Sequence, residues 1–314
     1  MQAEPLRDCM ACGKADPLAI EKSTKKIKRR FGDRAEGRRV RTISPMARVS
    51  PYIMKTRNTS QNYIRDEIDT TKIDQYIKEK KAKGMMGFNL MYILIATYVR
   101  TLSQYPGLNR FIAGQEIYAR HNIEICLTIK KEMELTSPDT VIKAEFEPDV
   151  TAEEVYEKIN QIIEEYRNAP GGSFDGAAKV LSYMPGLLMK FVVFILQIMD
   201  YFGCLPRFLS RLSPFHGSFF ITSMGSLGIP PIYHHLYDFG NIPVFGAFGC
   251  KRKANEVLDD GTVVQKKYID VKFVLDERIC DGYYYATFFK HYRRILRNPE
   301  ILDLPPEEVV RDID

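Results

Sequence analysis

The stretch that decides the fold is Asp276-Glu277-Arg278-Ile279-Cys280-Asp281-Gly282. It is entered by a strand-like run, Tyr268 to Leu275, in which polar and apolar residues nearly alternate before three apolar positions close it. A helix leaves it. Tyr285, Phe288, Phe289, Tyr292 and Leu296 recur at spacings of three and four, and Asn298-Pro299 stops the run. A strand, a tight charged turn ending in glycine, and then a helix form one way of aiming a reactive side chain. The same pattern also suits a solvated turn, so the rest of the chain must arbitrate.

Composition bounds the class. A chain of 314 residues with 45% hydrophobic and 27% charged residues buries a large core. Residues 22 to 41 carry ten Lys or Arg against Asp33 and Glu36, a local +8 against +5 overall, so the remainder is near −3. Residues 1–41 therefore read as a basic arm and 42–314 as the folded domain. A solvated tail explains the arm better than a nucleic-acid site, since Phe31 is its one aromatic residue between 22 and 41. Six cysteines are scattered, and no apolar leader occupies the first twenty residues, so reduced thiols and a cytoplasmic location are expected. Cys9 and Cys12 form a lone CxxC without the further ligands that zinc needs; no metal is expected, and this terminus reads as disordered.

Proline at 45 and 51 predicts an irregular arm with a short helical turn over 43–60. Extended chain over 62–69 and a helix over 70–83 follow. A strong helix over 88–105 buries Leu90, Ile93, Leu94, Tyr98 and Leu102 and ends at Pro106-Gly107. Residues 110–120 form a hairpin around Ala113-Gly114, 121–125 and 141–147 are strands, and Thr151 with Glu154 caps a helix over 151–167. Leu187 to Met199 is apolar almost all round but too short to cross a bilayer, and Lys190 and Gln197 interrupt it. A core or subunit-interface helix is the first expectation. A wall for an acyl chain, or peripheral membrane contact through 187–211 with Arg207 and Arg211 assisting, is the alternative. Gly217 to Gly228 is a strand ending in a glycine-spaced turn, and Asp259-Asp260-Gly261 turns a hairpin.

Several of these segments carry a resemblance. The turn at 276–282 resembles the Asp-His-Arg-x-x-Asp-Gly signature of the acyltransferase cores of the 2-oxo acid dehydrogenase complexes and of chloramphenicol acetyltransferase. Pro106-Gly107-Leu108-Asn109 resembles the family's Pro-Glu-Leu-Asn, and Asn122-Ile123-Glu124-Ile125 its Asn-Ile-Gly-Ile strand. Gly217 to Gly228 is similar to its Gly-Thr-Phe-Thr-Ile-Ser-Asn-Leu-Gly segment, and Asn241 to Gly249 to its Pro-containing strand. Two departures stand out. Glu277 replaces the catalytic histidine, and the family's Gly-Leu-Val-Val-Pro-Val-Ile strand has no counterpart after Lys130.

The resemblance implies an α/β fold, a two-layer sandwich with a chloramphenicol acetyltransferase-like mixed sheet packed with helices, assembled as a homotrimer with sites between subunits. Coenzyme A would be co-substrate, with a small thiol, hydroxyl or amine as acceptor and no nucleic acid as partner. By this resemblance Glu277, Thr222 and Asp281 are the catalytic set: Glu277 as base, Thr222 as oxyanion donor, and Asp281 as anchor of the turn through an arginine, with Arg48 a candidate. Ser223, Gly225 and Gly282 would line the substrate and coenzyme A site. A free carboxylate near roughly 4.3 is a poorer base at neutrality than an imidazole near about 6.5, and burial in a dry channel raises it. His216, His234, His235 and His291 are substitutes to consider. The first forty residues are too few and too polar for a lipoyl or subunit-binding domain, which argues for a stand-alone enzyme. A catalytically silent trimeric scaffold or a membrane-associated module are the competing readings.

Overall fold

The computed structural model describes residues 29–130, 139–168, 176 and 181–314. The Cys9/Cys12 pair, the first part of the basic arm and the loop after Lys130 lie outside the described residues. A six-stranded sheet runs in the order β2-β9-β8-β7-β5-β6. Its strands are β2 (Gln61–Asp69), β5 (Ile123–Lys130), β6 (Asp139–Phe146), β7 (Phe219–Ser223), β8 (Val244–Val257) and β9 (Val263–Asp276). Strand β7 is parallel to both β5 and β8, and the remaining pairings are antiparallel, so the sheet is mixed. A smaller sheet joins β1 (Gly37–Arg39), β4 (Glu116–Arg120) and β3 (Arg110–Ala113).

The period-2 alternation of the central strands sorts the core into two faces. Ile125, Leu127, Phe219, Ile221, Val271, Phe273 and Leu275 face the helices. Cys126, Phe220, Phe245 and Val274 form a second cluster with Leu236 and Ile242 on the other face. On the helix side, α3 (Leu90–Gln104) packs against α4 (Ala152–Asn168) and the terminal α7 (Gly282–Arg297), while α2 (Thr71–Ala82) touches α7 and α3. Tyr98 of α3 stacks on Phe219 with ring centroids 3.9 Å apart, which pins that helix over β7.

Four expectations need correction. The arm over 43–60 contains a real helix, α1 (Pro45–Ile53). Pro45 occupies its first turn, where no amide partner is needed, and Ser44 caps it by accepting from Ala47 N. The boundary expected after residue 41 lies earlier, because β1 pairs Gly37 with Arg120. Several of the arm's basic residues are bound rather than solvated. Arg38 is buried and pairs with Asp314, and Arg34 reaches the backbone carbonyls of Asp200 and Tyr201. The apolar run forms α5 (Gly186–Tyr201), which is no core helix: none of its residues is buried in the protomer. It is followed by the short α6 (Arg207–Leu212).

Candidate active site

The turn at the end of β9 is held by a buried charge cluster. Asp276 is fully buried, and Arg278 grips it with two bonds, Nε to Oδ1 at 2.8 Å and Nη2 to Oδ2 at 2.7 Å. Arg57 lies beside the pair, with its Nε 3.7 Å from Asp276 Oδ2, and its other nitrogens bond the carbonyls of Tyr237, Asp238 and Ile112. Arg110 holds Asp312 through a two-pronged pair and donates to Ile279 O at 3.3 Å, tying the C-terminal segment to the same turn. Such forked guanidinium–carboxylate pairs fix orientation as well as position. The Cys280 thiol is driven up to about 12, chiefly by burial, which leaves it an inert neutral group.

Glu277 sits in the middle of this clamp and is not part of it. Its amide donates to Ser60 O at 2.8 Å, while its side chain is exposed and makes no hydrogen bond or ion pair among the described residues. Among the described residues Asp281 meets no arginine: it caps α7, accepting from Tyr284 N at 2.8 Å, and Arg48 donates instead to Arg41 O. The anchoring expected of Asp281 is performed by Asp276. Replacing Asp281 with alanine is expected to lower stability by about 0.5–2 kcal/mol, the range for a lost N-cap, read from the urea midpoint. Gly282 opens α7, and open space lies where a Cβ would stand.

Thr222 stands on β7, away from that turn. It is opposite Ala247 of β8, which is opposite Lys272 of β9. Glu277 is five residues beyond Lys272, roughly 17 Å further along the strand direction, and β8 separates the two strands by two spacings of about 4.8 Å each. One protomer therefore does not bring Thr222 and Glu277 together. Thr222 shares the face of Phe220 and Phe245, away from the helices. After it, Ser223 ends β7, and Met224 N bonds Phe248 O. Gly225 must be glycine, since a Cβ there would lie 2.7 Å from Gly249 O.

The histidines have other occupations. His216 is buried, with Nδ1 2.8 Å from Ser213 Oγ and Nε2 3.5 Å from Asp200. His234 stacks on Phe245, and its pKa is lowered, mainly by burial; His291 contacts Tyr105 edge-on and is lowered for the same reason. A cleft of about 230 Å³ lies between the clamp and α5, lined by Lys55, Arg57, Gln197, Asp200, Asp238 and Arg278 among others. Nearby, burial pushes the Glu36 carboxyl up, but Arg120, His216 and hydrogen bonds from Ser210 and Asn241 outweigh it and hold the pKa below 4.5. Its stabilisation is complete above the unfolded value and lost as pH falls through the lower folded value. Glu36→Gln should accordingly flatten the loss of stability that sets in as pH falls below 4.5, read from urea midpoints.

Among the described residues no group of three or more His, Cys, Asp or Glu could hold a metal ion, and no helix is long and apolar enough to cross a membrane. No family model matches the chain, and no curated protein matches it. Solved structures do. The crystal structure of a probable dihydrolipoamide acetyltransferase from Listeria monocytogenes 4b F2365 aligns over 82% of this chain and 94% of its own, at 16% identity and a TM-score of 0.52. The chain has the fold of that acetyltransferase. A truncated catalytic core of the 2-oxoacid dehydrogenase multienzyme complex from Thermoplasma acidophilum aligns over 83% of this chain and 98% of its own, at 15% identity and a TM-score of 0.49. A chloramphenicol acetyltransferase aligns over 78% and 92%, at 12% identity and a TM-score of 0.47. The acetyltransferase fold agrees with the mixed-sheet sandwich that the sequence resemblance implies.

Sequence reasoning missed Arg57, Arg110 and Asp312. Arg57 and Arg110 are isolated basic residues with no distinguishing spacing. Asp312 lies in a tail whose pairing depends on contacts some 200 positions apart in sequence.

Proposed function

We propose that the protein is an acyltransferase that moves an acyl group between coenzyme A and a thiol, hydroxyl or amine acceptor. It would work as an oligomer, most simply a trimer, in which Glu277 of one protomer faces the partner subunit's Thr222. The observation that carries this reading is the treatment of Glu277. The residues beside it are buried and doubly bonded, its own amide is fixed, and its carboxylate bonds none of the described residues at a rigid turn. That is how a scaffold presents a working group.

In this reading Glu277 takes the proton from the acceptor as it attacks the thioester carbonyl. The partner subunit's Thr222 hydroxyl donates to the oxyanion of the tetrahedral intermediate, which then collapses and expels the coenzyme A thiolate. A neighbouring protomer covering Glu277 would dry the carboxylate, and desolvation strengthens a carboxylate as a base. Ser223, Gly225 and Gly282 would border the substrate path. Asp276, rather than Asp281, keeps the turn in place.

A silent scaffold is the second reading, and the absence of histidine at position 277 favours it. Purified protein mixed with acyl-coenzyme A and an acceptor series separates the two. Thiol release above the uncatalysed rate, together with a coenzyme A-dependent rise in melting temperature, supports the enzyme. Neither effect across the series would leave the scaffold.

A further inference from the structure

The cleft beside the clamp ends at α5, and α5 is the least explained element of the fold. It is attached to the body chiefly at its C-terminal end. Arg34 bonds the carbonyls of Asp200 and Tyr201, Tyr201 Oη lies 2.9 Å from Gln115 Oε1, and the last turn rests on Gly114, where a Cβ would lie 2.5 Å from Tyr201 O. Cationic groups on a helix's last carbonyls are favourable, so this foot is firm. Toward its start the helix stands clear of the core. Leu187 is 85% exposed, Phe191 60% and Phe194 54%, with Leu188, Ile195 and Ile198 also exposed.

At 3.6 residues per turn these six side chains fall within about 120° of the circumference. No polar residue interrupts that arc; Lys190 and Gln197 flank it on one side. Exposed Tyr201, Phe202 and Phe208 continue the apolar surface, and Arg207 and Arg211 are exposed beside them. Between Leu181 and Leu212 the one carboxylate is Asp200, which is half-buried and already faces His216 and Arg34.

We propose that α5 and α6 dock the protein on the surface of an anionic lipid bilayer, with Leu187, Leu188, Phe191, Phe194, Ile195 and Ile198 entering the boundary between headgroups and acyl chains. An apolar arc of this width, with basic residues and aromatic rings beside it, is the pattern of a helix lying in that boundary. At about 24 Å the helix is too short to span the hydrocarbon core, which keeps it on one side. Charge decides between lipid and a second copy of the chain. A symmetric contact through this face would bring two sets of Lys190, Arg207 and Arg211 to one seam without a free carboxylate, whereas anionic headgroups neutralise all three. The docking would hold the mouth of the cleft close to the membrane.

The chain has no tryptophan, so Phe194→Trp gives a single reporter. With vesicles of phosphatidylcholine and phosphatidylglycerol, its emission should shift to the blue and be quenched by brominated acyl chains. Phe191→Glu with Phe194→Glu should abolish co-flotation while leaving the circular dichroism and the urea midpoint unchanged, because neither side chain is in the core. Arg207→Gln with Arg211→Gln should weaken binding to the anionic vesicles by roughly fivefold per charge and leave neutral vesicles unaffected. Emission that ignores vesicles overturns the proposal. So does emission already blue-shifted without lipid, in a particle that the double Glu variant splits by light scattering, since a second copy then covers the face. No coenzyme A is present in these measurements, so their outcome is independent of the proposed transferase activity.

Discussion

Replacing Asp276 with alanine is expected to lower the unfolding free energy by about 3–5 kcal/mol, the cost of removing one partner from a buried ion pair. The carboxylate is fully buried and compensates Arg278 through two short bonds and Arg57 at 3.7 Å. Without it two guanidinium groups stay in a water-poor site with little to offset their charge. The neighbourhood cannot collapse around the gap, because Tyr285 Oη donates to Asp276 O at 2.5 Å and fixes the start of α7. Urea titration at constant m-value is the measurement. Should the variant fail to fold, Arg278→Lys provides the graded version: it keeps the charge, loses the fork, and should fall between wild type and the alanine variant. A loss below about 1 kcal/mol in both variants would show that the clamp is not what holds the turn.

The second large effect is on rate and leaves stability nearly untouched. Glu277→Gln should lower kcat for acyl transfer by about 10²–10⁴-fold, the usual range for a lost general base. Thr222→Ala should lower it by about 10²–10³-fold, the range for a lost oxyanion donor. Since the Glu277 side chain is exposed and bonds none of the described residues, the unfolding free energy should move by less than about 0.5 kcal/mol. Glu277→His adds a direction. An imidazole at that position is better matched to proton transfer at neutrality, so activity should be kept or raised, with a pH profile that tracks a group near about 6.5. Full activity in Glu277→Gln would remove the residue from the mechanism.

The residues that announced the fold were those whose spacing is dictated by local geometry. Tyr285, Phe288, Phe289, Tyr292 and Leu296 all prove buried along one side of α7, and the alternation over 268–275 became the inner part of β9. The hairpin at Gly114 and the capping box at Thr151 and Glu154 were legible for the same reason, since each needs only neighbours in sequence. What stayed hidden depends on distant partners. Arg57 is an unremarkable arginine until the chain returns 219 residues later to place Asp276 beside it. Asp281 and Asp276 occupy one short motif, and only the fold shows that the first caps a helix while the second carries the clamp. Apolar content did not decide the place of α5 between core and subunit interface, because a helix rich in Leu, Phe and Ile fits a core as well as a surface that something else must cover; the core is ruled out by its exposure.

In the proposed transferase Glu277 and Thr222 act together from two different protomers, and a mixing experiment tests that most directly. Glu277→Gln and Thr222→Ala proteins, each nearly inactive alone, are unfolded together, refolded at equal ratio and assayed for thioester turnover. Random assembly leaves about a quarter of the sites with both wild-type groups, so activity should return to about a quarter of wild type. Activity no greater than the average of the two variants would mean that the two groups never share a site.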